Sequence, residues 1–382
     1  DDGIYGNAQN GLRPVMQYDP DRQKLVFFYM NKSYDVNALT LSLSGTSITV
    51  DGTSEIEGTA NSGTLGVTYD TSADKHIVAH TVGYTSAAAN TFTPAFSNAS
   101  SFLGIADAAI SNAASGKITM KGGVAINSAI SPAAVVTVGS KVVFDDGGPT
   151  TGISLVYDPD NTKIVNAFCT TTLHGIVGTV SGTGITYGTA VAANSNNSGQ
   201  AQIVYDTAND KVVIIYTNNN NSYGEAVVGT VSGTSISFGS VVVWNSASTS
   251  RVSAAYDTNA GKVVVAWKNS GTAYGIVGTV SGTSISFGSS ATIFSGGNLQ
   301  ETRMVYDTNA QKSVFTVRDA SPQKGYAMVL TVSGTDVTAG SSVEFLSSEV
   351  TNNSTALAYN STDNNVVIAY SKAGDSNNGF LA

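Results

Sequence analysis

Three histidines, one cysteine and a set of turn carboxylates are the residues whose side chains could do chemistry in this chain. His76 and His80 stand in HIVAH, a strand-like run. Four apart on a strand, they face one side but lie roughly 13 Å from each other, too far to share a zinc ion. His174 stands alone, so nothing identifies a partner for a His-based triad. Cys169, in NAFCTTT, reads as a buried structural thiol, and a single cysteine excludes an intramolecular disulfide. Asp19-Pro-Asp21 and Asp158-Pro-Asp160-Asn161 place oxygens at alternate positions, as calcium loops do. Most copies of this turn carry one acid, so a hydrogen-bonded turn is the favoured role. Calcium is the one cofactor the residues suggest. No carboxylate pair is singled out for glycoside hydrolysis, and the glycines serve turns, not phosphates.

The element that must position these residues is a repeat. Arg251 to Phe294 reads RVSAAYD, TNAG, KVVVAWKN, SGTA, YGIVGTV, SGT, SISFGSSATIF. Val, Ile, Tyr, Trp and Phe fill the runs; Gly, Ser, Asn and Thr fill the gaps, the composition of a small antiparallel sheet. A Tyr-Asp pair closes the first strand at Tyr18-Asp19, Tyr69-Asp70, Tyr157-Asp158, Tyr205-Asp206, Tyr256-Asp257 and Tyr306-Asp307, with Tyr359-Asn360 as a variant. Spacings of about 50 residues match four-stranded propeller blades. The interval from Tyr69 to Tyr157 is longer and has room for a shorter unit, with Ile110-Ser111 replacing Tyr-Asp.

The expected fold is therefore all-β: a single β-propeller domain over residues 1–382, with eight four-stranded blades, seven being the alternative count. Blade starts fall near 12, 64, 104, 152, 200, 251, 301 and 354. A straight β-solenoid is the rival architecture. Asp1 to Tyr5 fall where a fourth strand should lie, so an N-terminal strand is expected to close the ring, or to complete a neighbour's blade.

Turns between the first and second strands barely change (DTANDK, DTNAGK, DTNAQK, DPDNTK), nor do those between the third and fourth (VSGTG, VSGTS, VSGTD). They share one rim, which reads as scaffold. The other two connections vary and share the opposite rim, where recognition would sit. Aromatics and amides near it, Tyr223, Trp244, Asn245, Tyr274 and Asn298, could stack on and hydrogen-bond a sugar. Packing between blades is the competing role, favoured for Trp267.

Charged residues are only 12% of the chain and the net charge is −9, with no basic run, so nucleic acid is not an expected partner. No run of about 18 apolar residues suits membrane insertion. The N-terminal DDGIYGNAQNG does not read as a signal peptide. The Ser/Thr/Asn/Gly-rich composition fits an extracellular protein at a cell or virion surface. Sequons at Asn31, Asn98, Asn196, Asn220, Asn353 and Asn360 are candidate glycosylation sites.

The unit YDTNAGKVVVAWKNSGTAYGIVGTVSGTSISFGS resembles repeats of phage tail-fibre-like and other surface proteins of aquatic viruses and bacteria. The resemblance covers most of Gly152 to Val343 and fades between Tyr84 and Gly148. Its motifs are turns and strands, so it implies an architecture and supplies no catalytic residue. The leading expectation is a non-enzymatic building or attachment module of an appendage, a tail fibre or surface filament, that self-associates or joins other appendage subunits. A lectin-like propeller binding cell-surface glycans is the alternative, and a carbohydrate-active enzyme the third.

Overall fold

The computed structural model describes residues 14–31, 33–44, 47–58, 64–83, 85–94, 105–106, 118–119, 136–147, 151–347, 355–371 and 379–381. Among them the elements are β-strands, and the sheets are antiparallel meanders. The repeat explains each one. In the fifth blade, Ser250–Asp257, Lys262–Asn269, Thr272–Ser281 and Ser284–Phe287 are the four strands, and Ala291–Ser295 pairs back onto the third. The tight turn before the fourth strand needs a positive φ, which Gly182, Gly233, Gly282 and Gly334 supply at 58–62°.

Two faces of each sheet are apolar, and neither can be left to water. Neighbouring sheets stack and bury them. Val213, Ile215 and Val228 of the fourth blade pack with Val263, Val265 and Trp267 of the fifth. Similar clusters join the other neighbours. The innermost strands touch in a closed cycle: Val15–Asp19, Leu65–Asp70, Thr151–Asp158, Ser198–Asp206, Ser250–Asp257, Leu299–Asp307, Ala356–Asn360 and back to the first. The propeller expected from the repeat is present.

Its blade count is not the expected eight, nor seven, of four strands. Among the described residues six blades have four strand positions: 15–57, 65–145, 151–192, 198–245, 250–295 and 299–346. A three-stranded sheet, Ala356–Asn360, Asn365–Ser371 and Gly379–Leu381, stands between the sixth and the first. The extra unit placed near residue 104 is the error, and the second blade shows why. Its outer strands, Thr137–Val138 and Val142–Asp145, pair with its third strand, Ser86–Thr93. The long interval is an insertion within one blade, between its third and fourth strand positions. Ile77, Ala79, Ala87 and Ala89 of that blade pack directly on Ile153, Leu155, Ile164 and Phe168 of the next, leaving no place for a sheet between them. Within the interval, Ile105–Ala106 pairs with Ile118–Thr119 as a two-stranded ribbon. Ile110-Ser111 and the proposed closing strand Asp1–Tyr5 lie outside the described residues.

Candidate functional site: the axial channel

The inner strands leave a channel of about 600 Å³ along the axis, within the usual range for small-molecule sites. Its wall follows from the repeat. Four residues before the turn aspartate stand Ser154, Gln202, Ser253 and Arg303, one from each of blades three to six, and all four line it. Two residues earlier each inner strand is bulged. That position holds Gly152, Gln200, Arg251 and Glu301, with φ of 60°, 50° and 54° at the first three. Gln and Arg in the left-handed region carry backbone strain of order 1–3 kcal/mol. Hydrogen bonds between blades hold the bulges. The Arg251 N–H donates to Gln200 Oε1 (2.5 Å), and the Thr302 hydroxyl donates to the Arg251 carbonyl.

Apolar side chains such as Val15, Leu65, Ile153 and Leu357 share the wall with polar ones, and no acid is among its described lining. Gln17, Thr64, Ser154, Gln200, Gln202, Asn219, Ser253 and Thr302 contribute amides and hydroxyls, and Arg303 is the charged residue among the described lining. Ser154 Oγ accepts the Ile203 N–H (3.2 Å). Ser253, at the matching position and only 4% exposed, has no hydrogen-bond partner for its hydroxyl among the described residues. A buried hydroxyl without a partner costs free energy, and a polar ligand in the channel would relieve it. Arg303 Nη1 donates to the Thr302 carbonyl (3.0 Å), while Nη2 lies 2.8 Å from Glu301 Oε1. Glu301 is almost fully buried and also accepts the Thr355 N–H and hydroxyl, both at 3.1 Å.

The opposite rim is scaffold, as its turns suggested. Each turn aspartate is buried and accepts backbone N–H groups two or three residues on; Asn161 donates to Asp158 at 3.0 Å and Ala260 to Asp257 at 2.9 Å. The tyrosine of the pair reaches the preceding blade. Tyr256 and Tyr306 hydroxyls accept the N–H groups of Ala208 and Asn259. Of the calcium candidates, Asp19 and Asp21 do gather with Asp74. Arg22 occupies the place a cation would take there. Its Nη1 lies 3.1 Å from Asp19 Oδ2 and 2.5 Å from Asp74 Oδ1, and Nη2 lies 2.7 Å from Asp74 Oδ2. Asp158 is engaged by Asn161, and Asp160 by the Tyr205 hydroxyl, which also donates toward Asp210 (2.8 Å).

His76 is fully buried with Nε2 3.4 Å from Asp19 Oδ2, and His80 Nε2 bonds Asn90 Oδ1 at 2.9 Å. Burial lowers the pKa of both. It pushes the Cys169 thiol up to about 12, so no thiolate is available near neutral pH.

The aromatic candidates are not brought to one cavity, and none lines the channel. They ride on the third and outer strands, away from the axis. Trp244 is 8% exposed and packs edge-on against Trp267 (4.8 Å between centroids), and Tyr274 stacks on Trp267 at 5.5 Å. Tyr223 is half-buried; its N–H donates to Asn221 Oδ1. Asn245 braces its own loop through Ala247 and Thr249, and Asn298 accepts from Gln300. Among the sequons, Asn220 is exposed, Asn31 and Asn196 are half-buried, and Asn360 is buried with its side chain bonded in a turn. Asn98 and Asn353 lie outside the described residues. The channel-wall residues Ser253, Arg303 and their matches were not among the sequence candidates, although counting back four from each turn aspartate finds them.

No family model matches the chain, and no curated protein is similar to it. Solved structures are. A protein from Lactobacillus plantarum aligns over 91% of this chain and 86% of its own at 10% identity and a TM-score of 0.58. The periplasmic gluconolactonase PpgL of Pseudomonas aeruginosa aligns over 91% of both chains at 9% identity and 0.53. The SapL1 lectin, solved with alpha methyl fucoside, aligns over 88% of this chain and 95% of its own at 8% identity and 0.46. Identities this low establish the propeller fold alone. The expected appendage module, tail fibre or surface filament is overturned. No family model carries the tail-fibre-like resemblance, and the similar structures include a gluconolactonase.

Proposed function

We propose that this chain is a binding propeller that takes a small polyhydroxylated ligand, a mono- or disaccharide, in its axial channel, and that it catalyses no reaction on it. The observation that carries this reading is the channel wall: hydroxyls and amides from successive blades, including the buried, unpartnered Ser253 hydroxyl, around about 600 Å³. Sugars are recognised by such a ring of neutral donors and acceptors. Hydrolysis of a glycosidic bond needs two carboxyl groups facing it, and the described lining contributes none. Glu301 is close by but held in bonds to Thr355 and Arg303.

Ligand-observed NMR against a panel of mono- and disaccharides tests this. The expected result is saturable binding to the native chain that is lost in Ser253→Leu, whose longer apolar side chain would enter the channel, while the variant keeps its cooperative thermal transition. A panel without one binder, or binding that survives Ser253→Leu, would sink the proposal.

A further inference from the structure

The channel wall differs from side to side. Four residues before the turn aspartate, blades three to six place Ser154, Gln202, Ser253 and Arg303. At the same position, counted from Asp19, Asp70 and Asn360, blades one and two and the three-stranded sheet place Val15, Gly66 and Ala356, which also line the channel. The inner strands carrying these last three are consecutive in the closed cycle, so one arc of the wall is polar at this level and the other is not. The second arc stays apolar one residue away, at Leu65, Met16 and Leu357. Its polar side chains, Gln17 and Thr64, stand two residues before Asp19 and six before Asp70, toward the two ends of the strands. Gly66 opens no gap in it. A Cβ there would come within 2.7 Å of Leu155 Cδ1 and 3.2 Å of Ile153 Cγ2, so side chains of the third blade, which also line the channel, fill that place.

We infer that the ligand of the channel is two-faced: a sugar carrying an apolar, ring-sized aglycone, its hydroxyls toward Ser154, Gln202 and Ser253 and its aglycone against Val15, Leu65 and Ala356. This rests on the binding role proposed above and names the ligand class. The two sides follow from what each arc can offer. Ser154 Oγ accepts the Ile203 N–H and keeps its own hydrogen to donate. The Ser253 hydroxyl has no partner among the described residues, so it can both donate and accept. Val15, Leu65 and Ala356 have no polar side-chain atom. A ligand hydrophilic all round would be desolvated against them without gaining a hydrogen bond. A ligand apolar all round would leave the Ser253 hydroxyl unpaired. Val15 is half-buried, and an apolar group laid on its exposed part releases water from both surfaces.

Isothermal titration of the native chain with glucose, galactose and mannose, each as its methyl and its phenyl glycoside, decides it. The phenyl glycoside is expected to bind at least about 10-fold more tightly than the methyl glycoside of the same sugar. Its heat-capacity change on binding should be the more negative, the mark of apolar burial. Val15→Ser should narrow the gap several-fold. Ala356→Ser should narrow it too, and covers the case in which Val15→Ser fails to fold. Ser253→Leu should abolish binding of both glycosides. A phenyl glycoside that binds no more tightly than the methyl one, or a gap unchanged in folded Val15→Ser and Ala356→Ser, would overturn the two-faced ligand and leave the binding role standing. Failure of all six glycosides would overturn it as well, and the binding role falls with it only if the sugar panel above also yields no binder.

Discussion

Arg22 ties together carboxylates from two blades, and its removal is the most damaging single change the polar contacts point to. It and Asp19 are both buried, and the guanidinium also spans Asp74 of the second blade. Arg22→Met would leave Asp19 buried without its cation, a loss of about 3–5 kcal/mol for a broken buried pair, measurable by denaturant unfolding. The same cluster sets a pH dependence. His76 and His80 have folded pKa values below their ordinary 6.5, because burial disfavours the imidazolium. Below that value the unfolded chain takes up protons that the folded chain refuses, so stability is full above pH 6.5 and falls as pH drops through the window beneath it. For Asp19, burial works to raise the pKa, but bonds from His76 and the Arg22 N–H outweigh it; for Asp74, bonds from Arg22 and Tyr69 do the same. Both end below 3.8, and their contribution is present above that value and lost as pH falls through the lowered ones. Melting temperatures should therefore decline in two stages on acidification, with His80→Asn diminishing the first. The sequence showed His76 and His80 to be unsuited to a shared metal. It did not show that His76 faces Asp19, since the two are 57 positions apart and meet only when blades stack.

At the scale of the element, the repeat makes its own controls. The glycines after the fourth strands of blades three, four and five (Gly188, Gly239 and Gly288) pack against the next blade. A Cβ on Gly239 would come within 1.8 Å of the Thr283 carbonyl oxygen, and one on Gly288 within 2.1 Å of that of Thr335. On Gly340 the nearest atom would be 3.6 Å away, in its own blade. Val329 agrees. It is 44% exposed, whereas Val177, Val228 and Val277 in the same register are at most 1% exposed. Both positions lie at the junction with the sheet that follows the sixth blade, of which three strands are among the described residues. Gly239→Ala should cost about 1–3 kcal/mol through forced overpacking, and Gly340→Ala very little. Likewise Val277→Ala should cost about 2 kcal/mol, and Val329→Ala less than about 1 kcal/mol. Equal costs within either pair, read from chemical denaturation, would contradict the register. The strands and turns were legible in sequence because period, β-branching and turn glycines are local properties. Which copies of an identical motif are covered was not, because coverage depends on the neighbour.

For the molecule as a whole, the decisive contact is that between the second and third blades. Thr93 and Thr137 lie directly opposite on paired strands, so the chain between them could be replaced by a hairpin loop of three to five residues. Such a shortened chain should fold with one cooperative transition and keep whatever sugar binding the native chain shows, because blades two and three already touch. Loss of folding would mean that a further sheet belongs in the ring. The axial channel proposed to hold a ligand is likewise a property of closure. Ser253 and Arg303 are 50 residues apart and come from separate blades, and only the closed cycle of inner strands turns them toward one space.

Composition and spacing by themselves determined that this chain is a repeat of small antiparallel sheets with one constant rim, since turn chemistry and alternation are written within a few residues of one another. They also excluded a disulfide and a shared histidine metal site. The number of blades, the packing of Trp244 and Tyr274 against Trp267 and the axial channel were decided by tertiary structure. An insertion and a blade have similar lengths, a tryptophan packs as readily as it binds, and a wall built from one residue per blade has no signature in any single stretch of sequence.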